Sequence, residues 1–229
     1  MSKKLILLDA YALIYRAHFA FIKNPRINSK GLNTSAIFGF CNSLLEVTNK
    51  FDPSHIGVVF DPPGGSEREG VFADYKANRQ EMPEDIRKAI PYIFDLLKAM
   101  NIKVEMEEGF EADDVIGTLA KQAEKKGFET YMMTPDKDFG QLVSDHIFIY
   151  KPGRSGNPSE ILGPKEVCEK FEVKDPLQVI DILGLWGDAV DNIPGVPGVG
   201  EKTAKKLIST YGSIAVSYTH LRAHETPLH

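Results

Sequence analysis

Three short stretches of this chain are apolar almost without interruption, and each has the length of a β-strand. They are residues 5–8, residues 56–60 and the weaker stretch of residues 130–133. A strand whose successive side chains are all apolar is buried on both faces, which is typical of a parallel sheet that helices cover on each side. The pattern therefore predicts a central sheet that is mainly parallel.

Between these stretches, apolar residues recur at helical spacing. Their three predicted faces are Ile37, Phe40, Leu44, Leu45 and Val47; Ile86, Ile90, Ile93, Phe94 and Leu97; and Val115, Ile116, Leu119, Ala120 and Ala123. Pro91 is expected to kink or split the second helix, and Gly127 is expected to end the third. The alternation of strands and helices predicts an α/β domain of three layers.

An aspartate follows each predicted strand closely. Asp9, Asp61 and Asp136 stand at these positions, and Asp138 comes two residues after the last of them. In open α/β sheets the ligand crevice lies outside the carboxyl ends of the strands. Acids gathered there repel one another, so the arrangement is stable mainly when cations lie among them. A single aspartate at a strand end is usually structural, and it is their convergence that favours a site.

Residues 111–114, Glu-Ala-Asp-Asp, open the third predicted helix. Glu111 and Asp114 share a helix face, and Asp113 projects beside them. The helix dipole also favours acids in a first turn, so this segment alone fits a purely structural role. Together with the strand-end aspartates, however, it forms an all-oxygen set without a His or Cys at ligand spacing. Such a set selects Mg²⁺ or Mn²⁺ over zinc.

A glycine-rich turn in the last part of the chain has the ordered pattern Gly-x-Pro-Gly-x-Gly-x-Lys-Thr-Ala. Its glycines are Gly195, Gly198 and Gly200, and a helical pattern follows over residues 203–208. A turn of this kind exposes backbone N–H groups at a helix N-terminus and can bind a phosphate regardless of base sequence. Lys202 and Lys205 would add positive charge. A plain glycine-rich loop is the alternative, and the ordered pattern argues against it.

The acids and this turn follow one another in a characteristic order. They are Asp9, Asp61, residues 111–114, residues 136–138 (Asp-Lys-Asp) and residues 187–195, which begin Gly-Asp and end Asp-Asn-Ile-Pro-Gly. The order resembles that of the flap endonuclease / 5′→3′ exonuclease family and, within it, the N-terminal nuclease domain of bacterial DNA polymerase I. The likeness covers roughly residues 3–215.

The resemblance implies a PIN-like nuclease core over residues 1–177, with an arch at about residues 62–90. It also implies a helix-hairpin-helix-type DNA-binding motif over residues 178–215. Two Mg²⁺ (or Mn²⁺) ions are implied, with K⁺ as a candidate third ion at the hairpin motif. The first ion would be held by Asp9, Asp61, Glu111 and Asp113. Asp136, Asp138, Asp188 and Asp191 would complete the second, with Asp114 supporting.

Basic residues for DNA are implied in the same way. Lys76 and Arg79, in the arch, would steer the scissile phosphate, although a solvated loop is the alternative for residues 62–82. The remaining implied DNA contacts are Arg16, Gly195, Gly198, Gly200, Lys202, Thr203 and Lys205. Residues 67–70 (Glu-Arg-Glu-Gly) depart from the family pattern, because Arg68 is the only one of them that agrees with it.

Composition permits a DNA partner. The net charge is −5, but metal ions would neutralise the nine implied ligands, and without those the acids are fewer than the 27 basic residues. No segment predicts a membrane span, and Asp9 interrupts the signal-peptide-like start at residues 3–8. Cys41 and Cys168 have no partner motif, which favours reduced thiols in a cytoplasmic protein. Association with the nucleoid is what the resemblance to a DNA-acting family implies.

The predicted function is that of a Mg²⁺-dependent 5′→3′ exonuclease and flap endonuclease, acting as a monomer on DNA with 5′ flaps, nicks or branches. It would form part of a DNA polymerase I-like protein in replication and repair. Residues 216–229 look like translated sequencing-adapter sequence, so we expect a non-native tail on a truncated fragment. A catalytically weak DNA-structure binding fragment is the alternative. A PIN-type ribonuclease is a third hypothesis, which the hairpin motif argues against.

Overall fold

The computed structural model describes residues 3–153 and 157–224. The chain divides into two compact units. The first takes in the chain up to Glu67, Gln80–Pro135 and His146–Ile161. The second takes in Arg68–Arg79, Asp136–Asp145 and the chain from Leu162 onward.

The elements follow one another as the sequence predicts, with several additions. They are β1 (Lys3–Asp9), α1 (Ala10–Ala20), α2 (Ser35–Phe51), β2 (His55–Val59), α3 (Glu67–Val71), α4 (Glu84–Ala99), β3 (Lys103–Glu105), α5 (Ala112–Lys125), β4 (Phe128–Met133), a 3-10 helix (Asp138–Leu142), β5 (Ile147–Lys151), β6 (Glu160–Leu162), α6 (Pro164–Phe171), α7 (Gln178–Trp186), β7 (Gly187–Asp188), β8 (Ile193–Pro194), α8 (Glu201–Tyr211) and α9 (Ile214–His224).

A six-stranded sheet with the order β3-β2-β1-β4-β5-β6 forms the centre of the first unit. Its pairs β1–β2, β1–β4, β2–β3 and β4–β5 are all parallel. Leu8 lies opposite Val58 on one side and Met133 on the other. The three predicted strands and their mainly parallel arrangement are confirmed.

Helices cover both faces of this sheet. Ile6 and Leu8 of β1 belong to a core that also contains Phe40 of α2 and Ile93 of α4. Leu7 is equally buried but points the other way, because successive strand residues face opposite sides. That face is covered by α5, which packs against β1 and β4 and is absent from the first core. The predicted three layers are confirmed, and each such buried aliphatic side chain contributes about 1.5–3 kcal/mol.

Some details of the helices differ from the predictions. Of the two outcomes expected at Pro91, a kink or a split, the split does not occur, since α4 runs on through it. Pro91 lies on the exposed side, where water can satisfy the carbonyl that loses its partner. The prediction that Leu45 belongs to the apolar face of α2 is wrong, because its side chain is 48% exposed. As predicted, α5 ends just before Gly127, which has a φ of +75°.

The second unit is mainly helical. Its core contains Phe139 of the 3-10 helix, Phe171 of α6, Ile182 of α7 and Ile208 of α8. Helix α7 packs against α8, which packs against α9. The antiparallel pair β7–β8 follows α7 directly. The helical pattern predicted after the glycine-rich turn is confirmed as α8.

The remaining predictions concern the C-terminal tail, a membrane span and the two cysteines. Part of the predicted tail, up to residue 224, belongs to α9, and residues 225–229 lie outside the described residues. Within the described ranges, no helix combines the length and apolar character that a bilayer crossing requires. Cys41 and Cys168 are free thiols.

Candidate active site

Asp9 is fixed at the carboxyl end of β1, where it also caps α1. Its Oδ1 accepts a hydrogen bond from the backbone N–H of Ala12 at 3.1 Å. Its Oδ2 accepts one from the hydroxyl of Thr134 at 3.1 Å, and both side chains are buried. A buried carboxylate with donors on both oxygens has a defined orientation. Thr134 follows β4, so the two neighbouring strands β1 and β4 fix this acid together.

The other acids of the first unit gather around the N-terminus of α5. Asp61, two residues beyond β2, accepts a hydrogen bond from the N–H of Ala112 at 2.7 Å. The buried Glu111 accepts one from the Ser66 hydroxyl at 2.9 Å. Asp114 in turn accepts from the N–H of Glu111 at 3.1 Å, which caps the helix. The structure thus brings Asp61, Glu111 and Asp114 together, with Asp113 in the same turn.

Tyr11, in α1, is a residue of the candidate site that the sequence did not predict. Its ring packs edge-to-face on Phe60 with centroids 5.5 Å apart. Burial, and then the negative charge of Asp61, raise the pKa of the Tyr11 hydroxyl. Tyr11, Ser66 and Thr134 are uncharged and stand in no motif, so only the fold reveals them.

The second unit holds a separate group of acids around Lys137. The N–H of Asp138 donates to Asp136 Oδ1 at 2.8 Å, so these two carboxyls share one turn. The Lys137 ammonium donates to Asp188 Oδ2 and lies 3.4 Å from Asp138 Oδ1. Asp188 Oδ1 accepts from the N–H of Val190 at 2.8 Å.

The electrostatics of this second group reflect the crowding of like charges. Burial, followed by the charge of Asp136, raises the pKa of Asp138. Burial also opposes ionisation of Asp188, but hydrogen bonds from Lys137 and Val190 prevail and lower its pKa. The Lys137 pKa is raised, because the hydrogen bond to Asp188 and the charges of the neighbouring acids outweigh burial. A cation among these acids is thus electrostatically favoured.

Asp191 meets the basic residues of the predicted arch. Arg79 donates to its Oδ1 at 2.6 Å, and the Lys76 ammonium lies 3.9 Å from its Oδ2. The backbone N–H of Lys76 donates to the Asp191 carbonyl at 2.9 Å. Asn78 and Asn192 add contacts to Ala189 and Asp74 at 2.8 and 2.7 Å. The arch segment is therefore held against the loop after β7, and it includes the short helix α3 rather than only loop.

Most of these carboxylates accept hydrogen bonds from the protein itself. In the part of the chain that the structure describes, no three His, Cys, Asp or Glu side chains are close enough to hold a metal ion. The donor set nevertheless fits a hard divalent cation, since it consists of carboxylate oxygens alone. Asp138 Oδ1 is also buried and accepts no hydrogen bond, and its nearby cation is the Lys137 ammonium at 3.4 Å. The chemistry fits a metal, although the side chains would have to rearrange.

The glycine-rich turn has two structural parts. A Cβ on Gly187 would lie 2.3 Å from the backbone nitrogen of Gly195, directly after β8. A Cβ on Gly195 would lie 2.3 Å from the Trp186 carbonyl oxygen, so both glycines permit close packing around the β7–β8 pair. Gly198, with a φ of +78°, and Gly200 face open space and precede α8. Their backbone is thus accessible at the helix N-terminus, as the predicted phosphate cradle requires.

The predicted DNA-contacting side chains are placed differently from one another. Lys202 and Thr203 are exposed in the first turn of α8. Lys205 is only 13% exposed, and its ammonium contacts the Lys170 carbonyl at 2.8 Å and Glu201 at 2.9 Å. Arg16 donates to the carbonyls of Pro152 and Gly153. Both Lys205 and Arg16 therefore already have structural partners.

A parallel sheet with acids at its carboxyl edge, followed by a helical unit, defines a resolvase-like α/β domain with a helical C-terminal domain. Two family models match accordingly: "5'-3' exonuclease, N-terminal resolvase-like domain" over residues 4–172 and "5'-3' exonuclease, C-terminal SAM fold" over residues 174–228. The chain belongs to the 5′-3′ exonuclease family.

Curated relatives agree with this assignment. The chain is 43% identical over 213 residues to DNA polymerase I of Bacillus subtilis (strain 168), covering 93% of this chain but 24% of that protein. It is 40% identical over 212 residues to the 5'-3' exonuclease of Aquifex aeolicus (strain VF5), covering 93% of this chain and 71% of that one. The chain thus spans about a quarter of the polymerase relative.

Solved structures share the fold. T5 5'-exonuclease with bound zinc superposes with a TM-score of 0.78 at 20% identity, covering 96% of this chain and 79% of that one. The catalytic core of Rad2 in complex with a DNA substrate superposes with a TM-score of 0.61 at 20% identity, covering 99% and 70%. Both likenesses extend over nearly the whole chain.

Proposed function

We propose that this chain hydrolyses DNA phosphodiester bonds near 5′ ends, as a structure-specific 5′→3′ exonuclease and flap endonuclease that depends on Mg²⁺ or Mn²⁺. The observation that carries the proposal is the set of carboxylates at the carboxyl edge of the parallel sheet, in a chain of the 5′-3′ exonuclease family. Strand ends are where α/β sheets bind their ligands, and oxygen donors bind Mg²⁺ and Mn²⁺.

Two groups of residues would hold the metal ions. In the first unit these are Asp9, Asp61, Glu111 and Asp113, with Asp114 in support, and in the second unit Asp136, Asp138, Asp188 and Asp191. When bound, the ions would supply Lewis acidity toward the scissile phosphate. The protein contributes the orientation of the carboxylates, which Thr134, Ser66 and the α5 N-terminus maintain through the hydrogen bonds described above.

Lys76 and Arg79 are proposed as the groups that meet the scissile phosphate. A phosphate gains negative charge on its oxygens during hydrolysis, and fixed cations stabilise that charge more in the transition state than in the ground state. Both side chains face Asp191 in this structure, so they must exchange this carboxylate for a phosphate when DNA binds. The exchange replaces one charge-assisted contact with another and keeps the cations paired.

The turn before α8 is proposed to hold the DNA backbone away from the cleavage point. Gly198 and Gly200 leave the backbone open, and Lys202 and Thr203 are exposed beside it. Backbone N–H groups and a lysine bind phosphates of any sequence. We also propose this turn as the site for K⁺, whose positive charge would support the same phosphate contact.

The solved relatives supply supporting chemistry. A bacteriophage T5 flap endonuclease variant is known in a pseudo-enzyme-product complex with DNA and metal ions, at 19% identity and a TM-score of 0.72. By analogy, DNA with 5′ flaps, nicks or branches is the proposed partner here, and the chain is proposed to act as a monomer close to the nucleoid. It would form the nuclease part of a DNA polymerase I-like protein in replication and repair.

The experiment that tests this function compares substrates. A 5′-labelled flap duplex, an unbranched blunt duplex and an RNA hairpin are each incubated with the chain in Mg²⁺ and then in excess EDTA. We expect cleavage of the flap duplex in Mg²⁺ alone. Preferred cleavage of the RNA hairpin would indicate the ribonuclease instead. Tight binding of the flap without cleavage would indicate the weak DNA-binding fragment.

A further inference from the structure

The second unit contains a lysine at an unusual position, among acids proposed as metal ligands. The Lys137 ammonium donates to Asp188 Oδ2, lies 3.4 Å from Asp138 Oδ1 and senses the charge of Asp136. It also stands 5.4 Å from the centre of the Trp186 ring. One cation therefore contacts two carboxylates, Asp138 and Asp188, that belong to two different segments of the chain.

The two oxygens of Asp188 have different partners. Oδ1 accepts from the N–H groups of Val190 and Asp191 at 2.8 and 3.4 Å, so the loop after β7 fixes it. Oδ2 accepts from Lys137. A metal ion that binds this carboxylate through Oδ2 competes with the ammonium, because both need the same side of the oxygen and repel each other. Lys137 thus occupies the position at Oδ2 that a bound cation would take.

We propose that Lys137 is an exchangeable internal counter-ion, which pairs with Asp188 until a divalent cation displaces it from Oδ2. The inference rests on the proposed function, because it assumes that Asp136, Asp138 and Asp188 bind a metal. Beyond that function, the inference states that Lys137 lowers the affinity of the second metal site for a divalent cation. Lys137 can neutralise the acids when no metal is bound. A metal ion binds only if its interaction with Asp188 is stronger than that of the Lys137 ammonium.

The displaced ammonium has a place to move. A cleft of about 740 Å³ lies beside it in the second unit, lined by Phe72, Lys137, Trp186, Asp188 and Asn192, among others. The Trp186 ring lies on this cleft, and an aromatic face attracts a lysine ammonium. The four-carbon side chain can therefore withdraw from Asp188 while the backbone of Lys137 stays in place.

The test is a titration of the chain with Mn²⁺ in the absence of DNA. Electron paramagnetic resonance measures the concentration of free Mn²⁺ at each step and so gives the affinity of each class of site. Lys137→Met and Lys137→Gln remove the charge, and Lys174→Met removes the charge of an exposed lysine elsewhere in the same unit. We expect both Lys137 variants to tighten the weaker class of Mn²⁺ site by about tenfold or more, since a close positive charge is lost. Lys174→Met should leave this affinity within about twofold, because solvent screens a distant exposed charge.

Thermal unfolding provides a second readout. Without Mn²⁺, both Lys137 variants should have a lower Tm than the parent chain, because the acids lose their counter-ion. Saturating Mn²⁺ should then raise their Tm by more than it raises that of the parent. Adding Asp188→Asn to Lys137→Gln should abolish the gain in affinity, which assigns it to this carboxylate.

The outcomes separate the two proposals. If Lys137→Gln binds Mn²⁺ at the weaker site with unchanged or reduced affinity, Lys137 supports the metal rather than competing with it, and the inference is overturned. If the parent chain binds no Mn²⁺, the proposed metal-dependent function fails first. A variant that loses its fold is recognised by circular dichroism, and the other neutral variant then decides.

Discussion

At the scale of single residues, the basic side chains near Asp191 make the sharpest prediction. Lys76→Ala removes a cation proposed to meet the scissile phosphate. We expect the single-turnover rate of flap cleavage to fall by about 10²–10³, as it does when a donor to a developing oxyanion is removed. Lys88→Ala is the matched control, because Lys88 pairs with Glu84 on the exposed side of α4. A loss confined to DNA affinity would make Lys76 a docking residue.

Tyr150 makes a prediction about alkaline stability. It is buried and donates to Glu46, and burial together with this hydrogen bond raises the pKa of Tyr150 from 10.0 to about 12. The unfolded chain therefore releases this proton first as pH rises. The stability that the neutral tyrosine contributes is fully present below about pH 10 and is lost as pH rises through about 12.

Tyr150→Phe removes this proton, so its free energy of unfolding should fall less steeply than that of the parent between about pH 9 and 11.5. At neutral pH the variant should be less stable by about 1 kcal/mol, because Glu46 loses a donor. Urea denaturation at each pH measures both effects. Tyr92→Phe, an exposed tyrosine of α4, is the control. Parallel pH profiles for Tyr150→Phe and the parent would show that Tyr150 titrates normally.

At the scale of elements, the β7–β8 pair requires glycine at positions 187 and 195, and Gly195 gives the prediction. A Cβ on Gly195 would lie 2.3 Å from the Trp186 carbonyl oxygen, whereas one on Gly200 would meet nothing within 4 Å. Gly195→Ala should therefore reduce the free energy of unfolding by about 1–3 kcal/mol or more. Gly200→Ala, at a φ of −93°, should cost less than about 1 kcal/mol. Equal urea midpoints for the two variants would contradict the tight packing.

The first turn of α8 gives a prediction about DNA affinity. Lys202 is exposed, so Lys202→Ala should reduce the slope of log affinity against log salt by about one unit, as one lost phosphate contact requires. Lys205 already contacts Glu201 and the Lys170 carbonyl. Lys205→Ala should therefore change the slope less and the stability more. An unchanged slope for Lys202→Ala would show that this turn does not hold DNA.

The sequence predicted those elements whose pattern is local and strong. The three buried strands and helix α8 were found because apolar periodicity and glycine punctuation mark them. Helices α1 and α7 and strand β5 were not predicted. Helix α1 starts directly at the end of β1, so its polar cap, Asp9, was interpreted only as an acid at a strand end.

Contacts between distant segments lie beyond a local pattern. Asp191 and Arg79 are 112 residues apart, and only the fold brings them together. The same holds for Lys137, which the sequence shows merely as the middle residue of Asp-Lys-Asp, and for Thr134 beside Asp9. The acids were predicted as metal ligands because their order along the chain resembles that of a known family. The donors that orient them came from the structure.

At the scale of the whole molecule, the chain matches a region that occurs in relatives of two different lengths. It covers 24% of the Bacillus subtilis polymerase and 71% of the Aquifex aeolicus exonuclease. Every residue of the candidate site lies within the two family matches, which extend to residue 228.

The most direct test of the account is the metal dependence of flap cleavage, measured with Asp136→Ala as the reference variant. The account predicts cleavage in Mg²⁺ and in Mn²⁺, and binding without cleavage in Ca²⁺, because all the proposed ligands are carboxylates but Ca²⁺ is a poorer Lewis acid. Asp136→Ala should lower turnover by orders of magnitude while its DNA affinity stays measurable. Full cleavage by the parent chain in excess EDTA, or by Asp136→Ala in Mg²⁺, would contradict it.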